Sequence, residues 1–130
     1  MQLLIFWIWF QWVADVAIAL GAMFAPLSLL ARFPLPALPR ERLSIRLLGL
    51  YTAGLALAFS VALRDPAANQ PALWIANTFR LLGGTALLLG ATLDPQAPRM
   101  LKGVAWGEYL YVVITAVLMA HAGLAWALPA

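Results

Sequence analysis

Cysteine is absent. That excludes disulfides, thiolate metal sites and cysteine nucleophiles together. Charge is scarce as well: 10% of the 130 residues are charged, whereas a soluble domain carries about 25%. His121 is the single histidine, so neither a bis-histidine haem site nor a multidentate histidine metal site can come from this chain alone. A phosphate-cradling glycine loop, an HExxH, a GxSxG and a Ser/His/Asp set in a recognisable setting are all missing. No segment between the apolar stretches is long enough to hold a soluble active site. These absences point away from an enzyme, and the sequence itself requires no cofactor and no metal.

What is present is apolar. Hydrophobic residues make up 65% of the chain and the mean hydropathy is +0.91. A soluble domain is about 45–50% apolar, and a chain this small has too much surface for its volume to hide the excess. A lipid bilayer removes the conflict by acting as the solvent of an apolar exterior. The sequence pI is ≈ 10.0, with 8 Lys+Arg against 5 Asp+Glu. No basic patch interleaved with aromatics accompanies it, so no nucleic-acid partner is expected. The basic residues stand between the hydrophobic stretches, where loops facing anionic lipid place them.

Four apolar stretches cover about residues 3–30, 44–63, 71–93 and 103–128. Each approaches or exceeds the roughly 20 residues a helix needs to cross a hydrocarbon core of about 30 Å. Barrel strands are shorter and alternate with period two, which these runs do not. A helix also satisfies its backbone within one segment, as lipid requires. The sequence therefore predicts an all-α membrane protein: one transmembrane domain over 1–130, a four-helix bundle of up-down topology. The first stretch lacks a basic leader and a small-residue cleavage site, so a retained helix is expected there and not a cleaved signal peptide. Separators are clear. Arg32–Arg42 holds Pro34, Pro36 and Pro39; Arg64-Asp65-Pro66 opens the second loop; Asp94-Pro95, Pro98 and Arg99 mark the third. Each Asp-Pro pair predicts an Asp cap with Pro at the first position of a short helical turn.

The charges predict an orientation. Loop one carries Arg32, Arg40 and Arg42, with Arg46 just inside the second helix, and loop three carries Arg99 and Lys102. Loop two carries only Arg64, and both ends lack basic side chains. Positive-inside bias makes loops one and three cytoplasmic and puts both termini outside, periplasmic in a bacterial inner membrane. Abundant Ala, Leu, Pro and Arg with a single Lys fits a GC-rich bacterial source. Trp7, Trp9, Trp12, Trp74 and Trp126 fall near the outer boundary, and Phe33 and Trp106 near the inner one.

The candidate functional residues are the ionisable ones inside the apolar runs. A mid-helix charge costs roughly 2.5–3.5 kcal/mol on insertion scales, so such residues should turn inward and find partners. Asp15 and Arg80 lie near the middle of helices one and three at comparable depth; Glu108, in helix four, is expected deeper. Arg80 would neutralise Asp15 or Glu108. Gln11 lies one turn from Asp15 and Asn77 three residues from Arg80, so both extend the same faces. Tyr51, Tyr109, Tyr111 and Thr115 are further candidates. The cluster reads either as an ion pair that fixes helix register, or as a buried site for a quinone, a lipid headgroup or a proton relay. His121, between small neighbours, is a candidate axial ligand to a pigment or haem, and equally an interfacial histidine. Gly103 and Gly107 form a GxxxG in helix four, and Gly83 and Gly84 do similar work in helix three; small residues let membrane helices approach closely. A faint echo between ALAFSVALRDP (56–66) and ALLLGATLDP (86–95) has the form of an inverted repeat, and equally that of two Ala/Leu-rich helices that happen to end in Asp-Pro.

Several of these residues fall in a familiar order. Gly21 to Pro26 close helix one, Arg46-x-x-Gly49 opens helix two, Gly54 follows, then Asp65-Pro66 with Asn69, then Arg80. Over roughly residues 14–90 this resembles small bacterial integral membrane proteins of the broad DoxX-like kind. The resemblance implies a compact four-helix bundle in a bacterial inner membrane and little about activity. Function is expected along one of three lines. The first is a non-catalytic subunit packed against a larger membrane complex or against itself. The second is a binder of quinone, lipid or pigment. The third is a small transporter or proton pathway.

Overall fold

The structure is a computed structural model, and it describes residues 1–25, 42–94 and 99–124. Among these residues lie four helices: α1 (Gln2–Phe24), α2 (Arg42–Arg64), α3 (Gln70–Leu93) and α4 (Arg99–His121). No strand occurs among the described residues. All four helices are long and apolar enough to cross a membrane, over Gln2–Phe24, Arg46–Arg64, Gln70–Leu93 and Leu101–His121.

Cross-helix contacts run in opposite sequence directions, so neighbours are antiparallel. Trp12 meets Ser60 while Ala22 meets Arg46; Tyr51 meets Phe79; Trp7 meets Thr115. The closest pairs are α1 on α2 and α3 on α4. A looser α2/α3 seam and a sparse α1/α4 seam close the ring. Two glycines explain the tight seams. A Cβ on Gly49 would stand 3.2 Å from the Met23 backbone nitrogen, and one on Gly84 would stand 3.3 Å from the Ala105 carbonyl oxygen. Only a missing side chain allows backbones so near.

The buried stripe of α1 is Leu4, Ile8, Gln11, Asp15, Ala19 and Ala22, spaced three and four apart as one helical face requires. On α3 the buried face is Leu73, Ala76, Asn77, Arg80, Gly84 and Ala91. Phe59, Leu73 and Met119 fill the apolar centre between these faces. Large apolar side chains such as Phe6, Leu57, Leu82 and Leu110 point outward.

Helix ends follow local chemistry. Between α2 and α3 the Asp65 carboxylate accepts from the backbone N–H of Ala67 and of Ala68, both at 3.0 Å, so residues 66–69 form the expected capped turn. The Pro95 turn lies outside the described residues, as does the stretch from Pro26 to Leu30 expected at the end of helix one. Arg46 donates to the Ala22 carbonyl at 2.6 Å, satisfying an acceptor in the last turn of α1.

Helix α4 departs from the sequence-based bounds of 103–128. It begins at Arg99, because backbone hydrogen bonding does not stop where the apolar run does. It ends at His121, because Gly123 takes a φ of 73°. The Leu124 N–H then reaches the Met119 carbonyl and the Gly123 N–H the Ala120 carbonyl. This pair of bonds is a Schellman closure, which stops the helix. Leu124 and Met119 share the apolar core, the hydrophobic contact that accompanies such a closure.

Candidate functional site: a buried charge triad

Asp15, Arg80 and Glu108 come together from α1, α3 and α4. Arg80 Nη2 donates to Asp15 Oδ2 at 2.6 Å, and Arg80 Nη1 donates to Glu108 Oε2 at 2.8 Å. The planar fork of the guanidinium makes this geometry available, since its two ends reach carboxylates on opposite sides. The side chains of Arg80 and Asp15 are 4% and 3% exposed, and that of Glu108 is 17%. Glu108 is thus the member nearest the outside of the bundle.

The expected extra depth of Glu108 is corrected. Glu108 lies as many residues from His121 as Asp15 does from Gln2, so the two carboxylates share a level. The error came from running helix four on to residue 128.

Aromatic rings cover the guanidinium. Its carbon lies 4.8 Å from the centroid of the Tyr111 ring and 5.6 Å from that of Phe59, within cation–π range. Trp7 and Phe10 stack in turn on Tyr111, with centroids 5.2 and 6.3 Å away. The rings fill a seam where α1 and α4 do not approach closely.

A second polar layer lies one turn nearer the N-terminal end of α1. The Thr115 hydroxyl accepts from Trp7 Nε1 at 2.8 Å and from Gln11 Nε2 at 3.1 Å, and donates to the Tyr111 carbonyl at 2.8 Å. Its capacity is full. Gln11 Oε1, both polar atoms of Asn77 and Arg80 Nε are buried without a hydrogen-bond partner among the described residues. Asn77 lies on the buried face of α3 with Arg80, as its spacing predicted.

Other expected residues lie elsewhere. Tyr51 donates to the Phe79 carbonyl at 3.0 Å, crossing the α2/α3 seam, and its ring lies over Gly83. Tyr109 shares a hydrogen bond with Thr85 at 3.0 Å on the α3/α4 seam. Gly84 packs against Glu108 Cβ and so sets how near that carboxylate comes to Arg80. Gly103 and Gly107 differ: a Cβ on either would meet nothing within 4 Å among the described residues. His121 is exposed in the last turn of α4, away from the triad. Among the described residues no group of three His, Cys, Asp or Glu could hold a metal ion.

Sequence reasoning missed Gly49 as the close-approach residue of the α1/α2 seam. Its one signal is small-xxx-small spacing with Ala53. The Phe59 ring over Arg80 was missed as well, since nothing in its local sequence sets it apart, whereas Tyr111 was among the candidates and does lie over the guanidinium.

Comparison with protein-family profiles, with curated proteins and with solved structures finds no match for this chain.

Proposed function

We propose that this chain is a non-catalytic integral membrane protein that works as a subunit, docking on another membrane protein or on a second copy through an open face of α4. Embedding in a bilayer is supported by an inverted distribution. Asp15, Arg80, Gln11 and Asn77 are inside, while Phe6, Leu57 and Leu110 are outside. Placement in a bacterial inner membrane and kinship with the DoxX-like bundles belong to the same proposal.

One observation carries the subunit reading. The glycines at the tight seams, Gly49 and Gly84, are used inside the chain, whereas a Cβ on Gly103 or Gly107 of α4 would meet nothing within 4 Å among the described residues. Helices in lipid gain no hydrophobic drive from meeting, so association relies on close van der Waals packing at such small residues. The triad then serves as an internal lock: it holds α1, α3 and α4 in one register, so that the α4 face is presented rigidly. Native mass spectrometry from mild detergent tests this. The expected species is heavier than one chain, and Gly103→Leu with Gly107→Leu should reduce it to one chain of unchanged helix content. A wild-type chain that leaves the membrane alone would sink the reading.

A second reading, binding of an amphiphile such as a quinone, lipid or pigment, has its own support. A groove of about 440 Å³ runs between α2 and α3, lined by Leu50, Tyr51, Ala58, Ile75 and Phe79 among others. Its walls suit a hydrocarbon chain, with the Tyr51 hydroxyl as the one polar side-chain group among its lining residues. Bound lipid or an absorbance band in the same preparation decides it.

A further inference from the structure

The triad has an odd charge. Two carboxylates face one guanidinium, and an arginine in a protein does not give up its proton. With both carboxyls ionised, the bundle interior would hold one uncompensated negative charge, which an apolar surrounding strongly disfavours. One proton on the carboxyl pair removes it, and so would one monovalent cation.

An independent observation separates these two. Asn77 is 3% exposed and Gln11 0%, yet Gln11 Oε1, Asn77 Oδ1, Asn77 Nδ2 and Arg80 Nε have no hydrogen-bond partner among the described residues. Exchanging the Asn77 oxygen and nitrogen does not help, since neither position is satisfied. Buried polar atoms in folded proteins are almost always paired, often with ordered water. The unmet set has two acceptors and two donors. A metal cation would serve the acceptors and leave the Asn77 and Arg80 donors stranded. An anion would do the reverse, beside a cluster already rich in negative charge. Water donates and accepts, and serves both. Gln11 is one turn from Asp15, and Asn77 one turn from Arg80, so this layer abuts the triad.

We propose that Gln11, Asn77 and Arg80 Nε hold water against the Asp15/Glu108 pair, and that this pair binds one exchangeable proton. Among the described residues, the ionisable groups beside the pair are Arg80 from α3, which bridges it, and Tyr111 from α4, whose ring lies against the guanidinium, while Tyr51 from α2 lies over Gly83 of α3. The inference rests on embedding in a bilayer but not on any partner protein.

Infrared spectroscopy of the full chain in lipid nanodiscs at neutral pH tests it. The wild-type protein should show the C=O stretch of a protonated carboxyl, and that band should shift in D2O. Asp15→Asn and Glu108→Gln should each abolish it, because either change leaves Arg80 with one carboxylate and no excess charge. A purely structural ion pair predicts no band to lose. Asn77→Leu should slow the D2O shift by about tenfold, the effect of one lost hydrogen bond to water. The wild-type spectrum alone keeps the proposal falsifiable if a variant fails to fold. A wild-type spectrum without the band overturns it. So does a band that never shifts in D2O, which means a dry interior, and so does an unchanged rate in Asn77→Leu. A band that appears only when sodium is replaced by choline overturns it in favour of an alkali cation. Loss of oligomers in detergent, the failure mode of the subunit reading, leaves these spectra unaffected.

Discussion

The guanidinium carbon of Arg80 lies 4.8 Å from the centre of the Tyr111 ring, so the one buried cation of the triad is held by an aromatic face as well as by two carboxylates. Tyr111 is itself the ring on which Trp7 and Phe10 stack. A single column thus joins the aromatic surface of α1 to the charge centre.

This column predicts that Tyr111→Phe is nearly silent, because the ring face remains. Tyr111→Leu should destabilise the bundle by about 2 kcal/mol, the size of a desolvated cation–π contact. Reversible unfolding in mixed micelles by added SDS measures both. Equal losses in the two variants would place the role in the hydroxyl and not in the ring.

Removing Arg80 alone from the triad should cost far more than removing all three charges. Arg80→Met leaves Asp15 and Glu108 facing each other without compensation, and about 3–5 kcal/mol should be lost. Combining it with Asp15→Asn and Glu108→Gln removes every charge, and most of that loss should return. The same unfolding assay reads the difference. If the triple variant is as unstable as Arg80→Met, the penalty comes from lost packing of the long side chain, not from stranded charge.

Much of this was legible beforehand, for a physical reason. An ionisable residue in an apolar run has so few tolerable environments that Asp15, Arg80 and Glu108 had to turn inward and meet. Their spacing on three separate helices said nothing about which carboxylate Arg80 would take; the fork of the guanidinium takes both. Glu108 was misplaced in depth because Gly123 ends α4 through its backbone conformation, a cue far weaker than the continuing apolar sequence. Gly103 and Gly107 carried the plainest spacing signal and meet nothing among the described residues, while Gly49, spaced with Ala53, closes the tightest seam. Glycine spacing identifies a face able to pack closely. It does not identify the partner.

Two glycines of α3 should respond in opposite directions to the same substitution. A Cβ at Gly84 would stand 3.0 Å from the Glu108 Cβ and 3.3 Å from the Ala105 carbonyl oxygen. Gly84→Ala must therefore push α3 and α4 apart, at a cost of about 1–3 kcal/mol. At Gly90 a Cβ meets nothing within 4 Å among the described residues, and Gly90→Ala should gain up to about 1 kcal/mol of helix propensity. Unfolding midpoints of the two variants, measured side by side, check the sign. Two shifts in the same direction would mean that the α3/α4 seam is less tight than the Gly84 geometry requires.

The absence of cysteine makes the orientation directly measurable, since any introduced thiol is the sole site of labelling. Gln2, at the start of α1, and Ala67, in the turn between α2 and α3, are both exposed, as is Lys102 near the start of α4. In the bilayer placement we propose, four antiparallel crossings put Gln2 and Ala67 on one side and Lys102 on the other. The orientation we propose from the excess of basic residues around loops one and three puts the Lys102 side in the cytoplasm. A membrane-impermeant maleimide added to intact cells (with the outer membrane made leaky if there is one) should label Gln2→Cys and Ala67→Cys at once. Lys102→Cys should react only after the inner membrane is broken. The reverse pattern would keep four crossings and invert the bundle. Labelling that separates Gln2→Cys from Ala67→Cys would mean that α1 and α2 do not both cross, and the bilayer reading of this bundle would fall with it.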